Sequence, residues 1–388
     1  MPRITGKLRI STVAGEQVRA FLPAPLPPAQ PPLVIDDRLA TLHAEALAAL
    51  GKLAVAGAMV PSPQWFLYGF VRKEAVVSSE IEGTQATLQD VVTFEATRQA
   101  ERPHDVREVC NYVDALTYTR QQLASPTGLP LSSRLLCEAH KLLMRGVRGE
   151  GKLPGEVRRS QNWIGGTRPG NARFVPPPPD ALPDLLSQID AWLHSADPLP
   201  PLIKAGLAHV QFETIHPFLD GNGRLGRLLI TLLLCSDGVL TQPILYLSLH
   251  FKRHRALYYD LLQDVRLTGD WERWCEFFLE GVTATATQAA DDARKILDLL
   301  EHDRARIARI GRAAPSALKV HAYLFAKPYL SIPKAATELG ISVPAATTAV
   351  RKLVELDVLR PTTAQARNRI FAYEAYLAIL AAGTEPLR

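Results

Sequence analysis

The sequence predicts a mainly α-helical protein with one short β-hairpin and a C-terminal winged helix-turn-helix. Over most of the chain, apolar residues recur at spacings of three and four, as on one face of a helix. Residues 160–179 break this pattern, with β-like stretches on each side of a Thr-Arg-Pro-Gly-Asn turn. Near the C-terminus, a short helix, a turn at Gly340 and a longer helix opening near Ser342 predict the winged helix-turn-helix.

The chain has 388 residues and 47% hydrophobic composition, enough for two or three domains that each bury a core. We expect an N-terminal helical region over residues 1–110, a core over 111–310 and a winged-helix-like domain over 311–388. The prolines of the stretch 23–32 supply no backbone N–H donor, so this stretch is expected to lie extended on the surface. Farther along, one helix is expected to end at Gly83 and another to start near Thr84.

Composition indicates a cytoplasmic protein that does not enter a membrane. No charged-then-apolar leader is visible, and the longest apolar run, 228–235, is far shorter than the ~20 residues of a membrane span. The four cysteines form no CxxC pair, which favours reduced thiols. The net charge of +5 permits phosphate-rich partners without identifying one.

The stretch "HPFLDGNGRLGR", residues 216–227, carries the strongest chemical signal. Pro217 disfavours the α conformation at His216, so the preceding helix should end there with the imidazole at its exit. Gly221 and Gly223 allow successive backbone amides to point into one small space. Asn222 is expected to cap the helix that follows.

Two arginines then occupy the first turn of that helix. Arg224 and Arg227 share one face, where the helix dipole is already positive and acidic residues are preferred. Their placement is unfavourable unless an anion binds, so amides and guanidinium groups together predict a polyphosphate site. Asp220 suits Mg²⁺, which takes one or two protein oxygens plus substrate phosphates, and His216 can accept a proton near neutral pH.

The same stretch matches the Fic (filamentation induced by cAMP) family signature His-Pro-Phe-x-Asp-Gly-Asn-Gly-Arg-x-Gly-Arg at every fixed position, and residues 30–300 resemble that family more broadly. The resemblance implies an all-helical Fic core and a protein adenylyltransferase. Such an enzyme transfers AMP from ATP, with Mg²⁺, to a Ser, Thr or Tyr hydroxyl of a protein and releases pyrophosphate. The modified protein is another chain or this chain itself.

Residue roles follow from the resemblance by position. His216 is the base that deprotonates the target hydroxyl, and Asp220 holds Mg²⁺. Arg224 and Arg227 hold the β- and γ-phosphates, next to an anion hole at the α-phosphate. The full ATP-binding set is Gly221, Asn222, Gly223, Arg224, Leu225, Gly226, Arg227 and Tyr259.

A second motif lies upstream, where Ser78, Glu82 and Gly83 resemble the inhibitory Ser/Thr-x-x-x-Glu-Gly/Asn pattern of the family. A glutamate that reaches Arg227 would form a charge-assisted pair and withdraw the guanidinium from the γ-phosphate. The expected result is autoinhibition by Glu82. In some relatives the same glutamate is thought to orient a water that removes AMP, and this role stays open.

Two further regions resemble parts of the family. The hairpin is expected to act as a flap whose edge amides at Arg173, Phe174 and Val175 pair with an extended target segment; a purely structural hairpin is the alternative. Tyr258 and Tyr259 are candidates for stacking on adenine, with a place in the core as the alternative.

Two rival interpretations concern other chemistry. His209, Glu213 and His216 fall on one helical face and could ligate a transition metal.

Residues 313–388 contain nine Lys and Arg against five Asp and Glu, with Arg367 and Arg369 in the expected wing. We expect this domain either to bind DNA or to contact a protein, which includes a second copy of the chain in a homodimer. The alternative function of the whole chain is therefore a DNA-binding regulator in which the Fic core is secondary or self-modifying.

Overall fold

The computed structural model describes residues 3–13, 15–97, 100–362 and 369–385 and is mostly helical. Its helices are α1 (Asp37–Met59), α2 (Pro63–Ile81), α3 (Leu88–Thr97), α4 (Pro103–Ala124), α5 (Ser133–Leu143), α6 (Leu182–Leu193), α7 (Pro201–Ile215), α8 (Asn222–Ser236), α9 (Ser248–Arg253), α10 (Arg255–Thr268), α11 (Trp271–Ile307), α12 (Ala314–Ala326), α13 (Ile332–Leu339), α14 (Val343–Glu355) and α15 (Glu374–Ala381). The strands are β1 (Gly6–Val13), β2 (Glu16–Pro23), β3 (Tyr329–Ser331), β4 (Arg360–Pro361) and β5 (Ile370–Ala372). The mainly α fold class is therefore confirmed.

Helices α7 and α8 form the centre of the molecule. Every residue of α7 from Leu202 to Ile215 is buried, as expected for a helix surrounded on all sides. The surrounding layer consists of α2, α4, α5, α6, α10 and α11. The loop between α7 and α8 contains the Fic-like motif, so the buried centre of the fold positions it.

Helix α2 is anchored by buried polar contacts. Lys73 lies 3.1 Å from Asp292 of α11, and Glu74 accepts hydrogen bonds from the backbone and hydroxyl of Ser248. Farther along, Glu80 pairs with Lys252 at 2.7 Å. Removing one partner of such a buried pair is strongly destabilising, so α2 is held in one register against α9 and α11.

The C-terminal part also packs on α2. Helices α12, α13 and α14 pack together beside a sheet of strand order β3-β5-β4, and α15 returns to contact α2, α3 and α11. A Cβ at Gly69 of α2 would lie 2.4 Å from Leu380, so glycine permits this close approach. Lys252 also donates to the carbonyl oxygen of Glu385. The wing residue Arg367 lies outside the described residues, and the winged helix-turn-helix stays a prediction.

Helix α2 ends at Ile81, and Gly83 follows in the left-handed region at φ 97°, as expected for a helix stopped by this glycine. The next helix, α3, begins at Leu88 rather than near Thr84. Helix α4 is continuous through the expected boundary at residue 110, whereas α11 ends at Ile307, close to the one at 310.

An antiparallel hairpin, β1–β2, also forms at residues 6–23, where no strand was expected. Its signal was the alternation in "EQVRAFLP", which turns Val18 and Ala20 into the core.

Among the described helices, α1 is long and apolar enough by length and composition to cross a membrane. Core helices of soluble proteins pass the same test, and the buried residues of α1 pack along α11. The cytoplasmic location stays a prediction.

Candidate functional site

The motif loop begins at His216, where α7 ends. His216 adopts a left-handed conformation with φ 49°, and its amide donates to the carbonyl of Phe212 at 2.9 Å. This end point agrees with the effect expected from Pro217. The imidazole thus stands at the exit of a fully buried helix.

Arg158 fixes this exit to the base of the flap. Its side chain is 1% exposed and donates to the carbonyl oxygen of His216 at 2.9 Å, of Ser160 at 3.1 Å and of Pro177 at 2.5 Å. Both ends of the segment 160–177 are therefore tied to the residue that carries the imidazole. Nothing in the local sequence signals this role, because the partners of Arg158 are backbone carbonyls.

His140 of α5 holds the other end of the loop. Its Nδ1 accepts from the amide of Gly155 at 2.8 Å, so Nε2 carries the proton and donates to the carbonyl oxygen of Asp220 at 3.0 Å. The ring also stacks on Phe218 with centroids 3.9 Å apart. Sequence reasoning missed this residue, which lies far from the motif along the chain.

The imidazole of His216 is held in its neutral form. Burial, reinforced by the positive charges of Arg266 and Arg158, lowers the pKa of His216 to about 3. The side chain is 18% exposed, and Nδ1 is buried, 3.9 Å from the carboxylate of Glu213. Burial also raises the pKa of Glu213 to about 7, so that carboxyl is only partly ionised beside the ring near neutral pH.

The expected cap of α8 is corrected by one residue. Gly221, at φ 75°, occupies the N-cap position, and Asn222 is the first residue of the helix. The amide side chain of Asn222 instead folds back on Phe218, accepting from its amide at 2.9 Å and donating to its carbonyl at 2.8 Å. Asn222 therefore closes the loop rather than capping the helix.

Arg227 is 2% exposed and contacts the second motif directly. Its Nε donates to Ser78 Oγ at 2.9 Å, while Nη2 donates to Ser78 O at 2.8 Å and to Glu82 Oε1 at 2.7 Å. Burial alone would lower the pKa of Arg227, but the Glu82 carboxylate outweighs burial and raises it. The pair expected between Glu82 and Arg227 is thus present.

Glu82 also lies against the first turn of α8. A Cβ built at Gly223 would lie 2.1 Å from Glu82 Oε1 and 3.0 Å from Arg227 Nη1. Only glycine therefore lets the carboxylate approach this turn, where unpaired amides and the helix dipole attract anions. The anion in the expected polyphosphate site is, in this structure, the carboxylate of Glu82.

Arg224 has different partners. It is 4% exposed, and Nη1 lies 3.4 Å from Glu108 of α4, while Nη2 lies 3.9 Å from Asp220. Its Nε is buried without a hydrogen-bond partner among the described residues. Glu108 also accepts from the hydroxyl of Thr84 at 2.7 Å. The acidic partner Glu108 was not identified from the sequence.

Asp220 lies at the rim of the site with a side chain that is 36% exposed. Its Oδ2 accepts from Lys152 Nζ at 2.9 Å, and Oδ1 accepts from the amide of Gly221 at 2.7 Å. Burial opposes ionisation, but these donors prevail and lower the pKa of Asp220. One ionised carboxylate beside a phosphate site suits Mg²⁺, which relies on substrate oxygens for other ligands.

The remaining candidate ATP contacts differ in accessibility. Leu225 is fully buried, so only its backbone could reach a nucleotide, and a Cβ at Gly226 would lie 2.6 Å from Glu213. Tyr258 is 1% exposed and contacts His209 Nε2 at 2.9 Å within an aromatic cluster, which favours the alternative of a place in the core over stacking on adenine. Tyr259 is partly exposed, and its role in ATP binding stays a prediction.

The flap is smaller than the expected hairpin. It forms a single bridge between Ile164 and Phe174, with a short 3-10 helix at Pro169–Asn171. The amide of Phe174 is occupied in that bridge, and the carbonyl of Val175 accepts from Phe21 of β2 at 2.9 Å. Of the three expected edge amides, those of Arg173 and Val175 make no hydrogen bond among the described residues, and the side chain of Arg173 pairs with Asp260 at 2.6 Å.

The rival metal interpretation gains no support from the ligand geometry. No group of three or more His, Cys, Asp or Glu placed to hold a metal occurs within the described ranges. The ring of His209 stacks against Phe251, Tyr258 and Trp274. It therefore belongs to the aromatic core next to α7.

Basic residues of the C-terminal part are largely paired with nearby acids. Arg351 and Lys352 of α14 lie 3.6 and 2.5 Å from Glu355, and Arg360 lies 2.9 Å from Asp357. These pairs reduce the positive charge that a DNA backbone would meet. DNA binding and a protein contact stay alternative predictions for this domain.

Comparisons with known proteins bear on the family. The model described as "Fic/DOC family N-terminal" matches residues 40–121, and the one described as "Fic/DOC family" matches residues 130–234. The chain is 32% identical over 206 residues to the protein adenylyltransferase Fic of Aedes aegypti, which covers 52% of this chain and 38% of that protein. It is 29% identical over 177 residues to a probable protein adenylyltransferase of Aquifex aeolicus, covering 45% of this chain and 51% of that protein.

These alignments span about half or less of the length of either relative. Among solved structures, a Fic family protein from Desulfovibrio desulfuricans G20 matches 89% of this chain and 98% of its own with a TM-score of 0.57 at 22% identity. Fic-1 from C. elegans, residues 134–508, matches 67% of this chain and 74% of its own, with a TM-score of 0.50 at 20% identity. At these identities the likeness shows a shared fold.

The low pKa of His216 makes its charge state testable. We expect the ring to stay neutral between about pH 5 and pH 8, because a proton would be buried beside two guanidinium groups. Long-range ¹H–¹⁵N spectra of histidine-labelled protein report this directly, and they should show the Nε2–H tautomer for His140. A protonated pattern for His216 near neutral pH would contradict this description.

The contact between Gly223 and Glu82 can be tested by a double-mutant cycle. Gly223→Ala should lower the free energy of unfolding by about 1–3 kcal/mol, because the new methyl group overlaps the carboxylate. In a Glu82→Gly background the same change should be neutral or stabilising, since alanine favours the helix. Gly51→Ala in α1 is the control, because a Cβ there meets nothing within 4 Å. It should change the free energy of unfolding by the same amount in both backgrounds. Equal effects of Gly223→Ala in the two backgrounds would rule out the contact.

Proposed function

Because the chain contains the N-terminal and Fic domains of the Fic/DOC family, we propose that it is a protein adenylyltransferase restrained by Glu82. It transfers AMP from ATP to a Ser, Thr or Tyr hydroxyl of a protein, with pyrophosphate as the leaving group. The observation that carries this proposal is the junction of a neutral imidazole with an anion site at the start of α8.

His216 is the proposed base. A neutral imidazole can accept the hydroxyl proton, and since Nδ1 is buried, Nε2 is the nitrogen available to the target. The oxygen of the hydroxyl then attacks the α-phosphorus, and the bond to the bridging oxygen of pyrophosphate breaks. Arg158 and His140 hold the loop on each side, and such positioning is most of what phosphoryl-type transfer requires.

The triphosphate is proposed to occupy the place that Glu82 now takes. There the first amides of α8 and Arg227 attract negative charge, and Arg224 lies one turn earlier on the same face. A bidentate guanidinium suits phosphate oxygens as well as it suits a carboxylate. Glu82 and the γ-phosphate therefore compete for one guanidinium.

This competition supports autoinhibition rather than complete exclusion of ATP. The α- and β-phosphates can still reach the loop while Arg227 stays with Glu82 and Ser78. The α-phosphorus is then poorly aligned with the target hydroxyl, and a misplacement of about 1 Å can lower a rate ~100-fold. The same glutamate can alternatively orient a water molecule that removes AMP from the target. Release of AMP from an AMP-modified target incubated without ATP would reveal this role.

Mg²⁺ is the proposed cofactor, held by Asp220. When bound, the ion would neutralise phosphate charge and fix the phosphate geometry. Lys152 now occupies Oδ2 of this carboxylate, but its side chain is 53% exposed and can turn into solvent at little cost. The donor set thus fits a dication that keeps several water and phosphate ligands.

Removing the inhibitory carboxylate tests the main proposal. Glu82→Gly should raise transfer from α-labelled ATP to lysate proteins or to the chain itself by up to about 100-fold, because Arg227 is freed for the γ-phosphate. His216→Ala should abolish transfer in either background. Glu101→Gly, at an exposed position away from the site, is the matched control and should leave the rate unchanged. Equal labelling by wild type and Glu82→Gly would refute autoinhibition.

The Mg²⁺ site can be tested in the Glu82→Gly background. Lys152→Ala should lower the Mg²⁺ concentration for half-maximal transfer several-fold, because the competing cation is removed from Asp220. Asp220→Asn should raise that concentration by about tenfold or more. Lys141→Ala removes an equally charged, exposed lysine and should change nothing. If Asp220→Asn leaves the Mg²⁺ dependence unaltered, this carboxylate does not hold the ion.

A further inference from the structure

Arg266 of α10 is a buried cation that forms no direct ion pair with a carboxylate among the described residues. Its side chain donates to Thr214 Oγ1 through Nε and to the carbonyl oxygen of Glu213 through Nη2, both at 3.2 Å. The guanidinium carbon lies 4.0 Å from the ring centroid of Phe174. No carboxylate in the described part of the chain forms an ion pair with it, although it is only 8% exposed. The buried carboxyl of Glu213 acts on this guanidinium electrostatically but without a direct contact, so the guanidinium keeps N–H donors for a ligand.

A cavity of about 390 Å³ opens beside this guanidinium. The proline-rich segment 23–30 forms one side, and α7, α10 and the start of α11 form the other. We call it the strap cavity. Its apolar walls include Phe21, Leu26, Val265 and Trp271. Its volume falls within the ~300–1,000 Å³ of small-molecule sites.

Polar residues in the strap cavity are few, and besides Thr5 and Gln30 they come from α7 and α10. They include Arg266, Thr214 and Gln211, and Arg266 is the one charged side chain among the described lining residues. Gln211 is already engaged with the carbonyl of Ala24 at 3.0 Å, and Thr214 donates to Val210. The guanidinium is therefore the charged group with donors left to bind a ligand.

We propose that the strap cavity binds a small carboxylic acid with an apolar body. A planar guanidinium presents paired N–H donors that match the two oxygens of a carboxylate. A single cation balances a single negative charge, which favours a monocarboxylate over a phosphate, and apolar walls favour an aliphatic or aromatic remainder. The ligand would supply the directly contacting carboxylate that Arg266 lacks among the described residues.

This site is separate from the proposed transfer site. Residues of the loop 216–227 do not line the strap cavity in the part of the chain that the structure describes. The flap residues Arg173, Phe174 and Val175 line a second cavity of about 370 Å³ on the other side of Phe21 and Arg266. Binding can thus be measured without ATP or a target protein, and its failure would leave the proposed function untouched.

The test compares octanoate with octanamide on the full chain by isothermal titration calorimetry and thermal unfolding. Octanoate should bind and raise the midpoint of unfolding, and octanamide should bind about tenfold more weakly or worse, because it lacks the charge that pairs with Arg266. Arg266→Gln should weaken octanoate by at least about tenfold. Arg273→Gln, an exposed arginine on α11, is the control and should bind octanoate as wild type does.

A second variant guards against loss of folding in Arg266→Gln. Val265→Phe keeps the guanidinium but fills part of the strap cavity, and it should also abolish octanoate binding. Equal affinity for the acid and the amide, or wild-type affinity in folded Arg266→Gln, would overturn the proposal. So would the absence of octanoate binding to wild type at about 1 mM.

Discussion

The buried guanidinium of Arg227 constrains more of this structure than any other single group. At 2% exposure it needs hydrogen-bond acceptors and a counter-charge, and both come from α2, far away in sequence. That requirement holds the N-terminal helical region against the core at the start of α8. It also requires glycine at position 223, because any side chain there would strike Glu82. Packing, local backbone and the anion site therefore depend on one charge.

The motif loop could be predicted well because its determinants are local. Pro217 ends α7 at His216, and Gly221 supplies the left-handed cap of α8, which are backbone rules that act within a few residues. Even there, Asn222 differed from expectation, since a side-chain amide can close a loop as well as cap a helix. The supports of the loop, Arg158 and His140, could not be predicted, because they bind backbone carbonyls that any residue presents. The hairpin β1–β2 and the short bridge of the flap show that strand alternation over a few residues is a weak signal beside helical periodicity.

The charges around His216 determine both whether its imidazole is free to accept a proton and how strongly it binds that proton. A ring with a pKa near 3 is unprotonated but is a weak base. Two cations contribute to this low pKa, and both also make structural hydrogen bonds. Arg266 donates to the carbonyl oxygen of Glu213, and Arg158 donates to the carbonyl oxygen of Pro177 at the base of the flap. A polyphosphate bound at the start of α8 would place negative charge beside the ring and raise its pKa. Under the proposed function, the base would thus strengthen when its substrate is present.

The body of helix α2 is fixed in place, whereas the side chain of Glu82, just after its end, can move. Lys73, Glu74 and Glu80 fix its body through buried contacts, and α15 covers it from the C-terminal side. Glu82 follows the last turn, and a third of its side chain, 34%, is open to solvent. Releasing Glu82 from Arg227 therefore requires rotation about the side-chain bonds of one glutamate, on the timescale of rotamer exchange, while the helix and its Ser78 contacts to Arg227 stay in place. A molecule that captured this carboxylate from outside would reach Arg227 without unfolding anything.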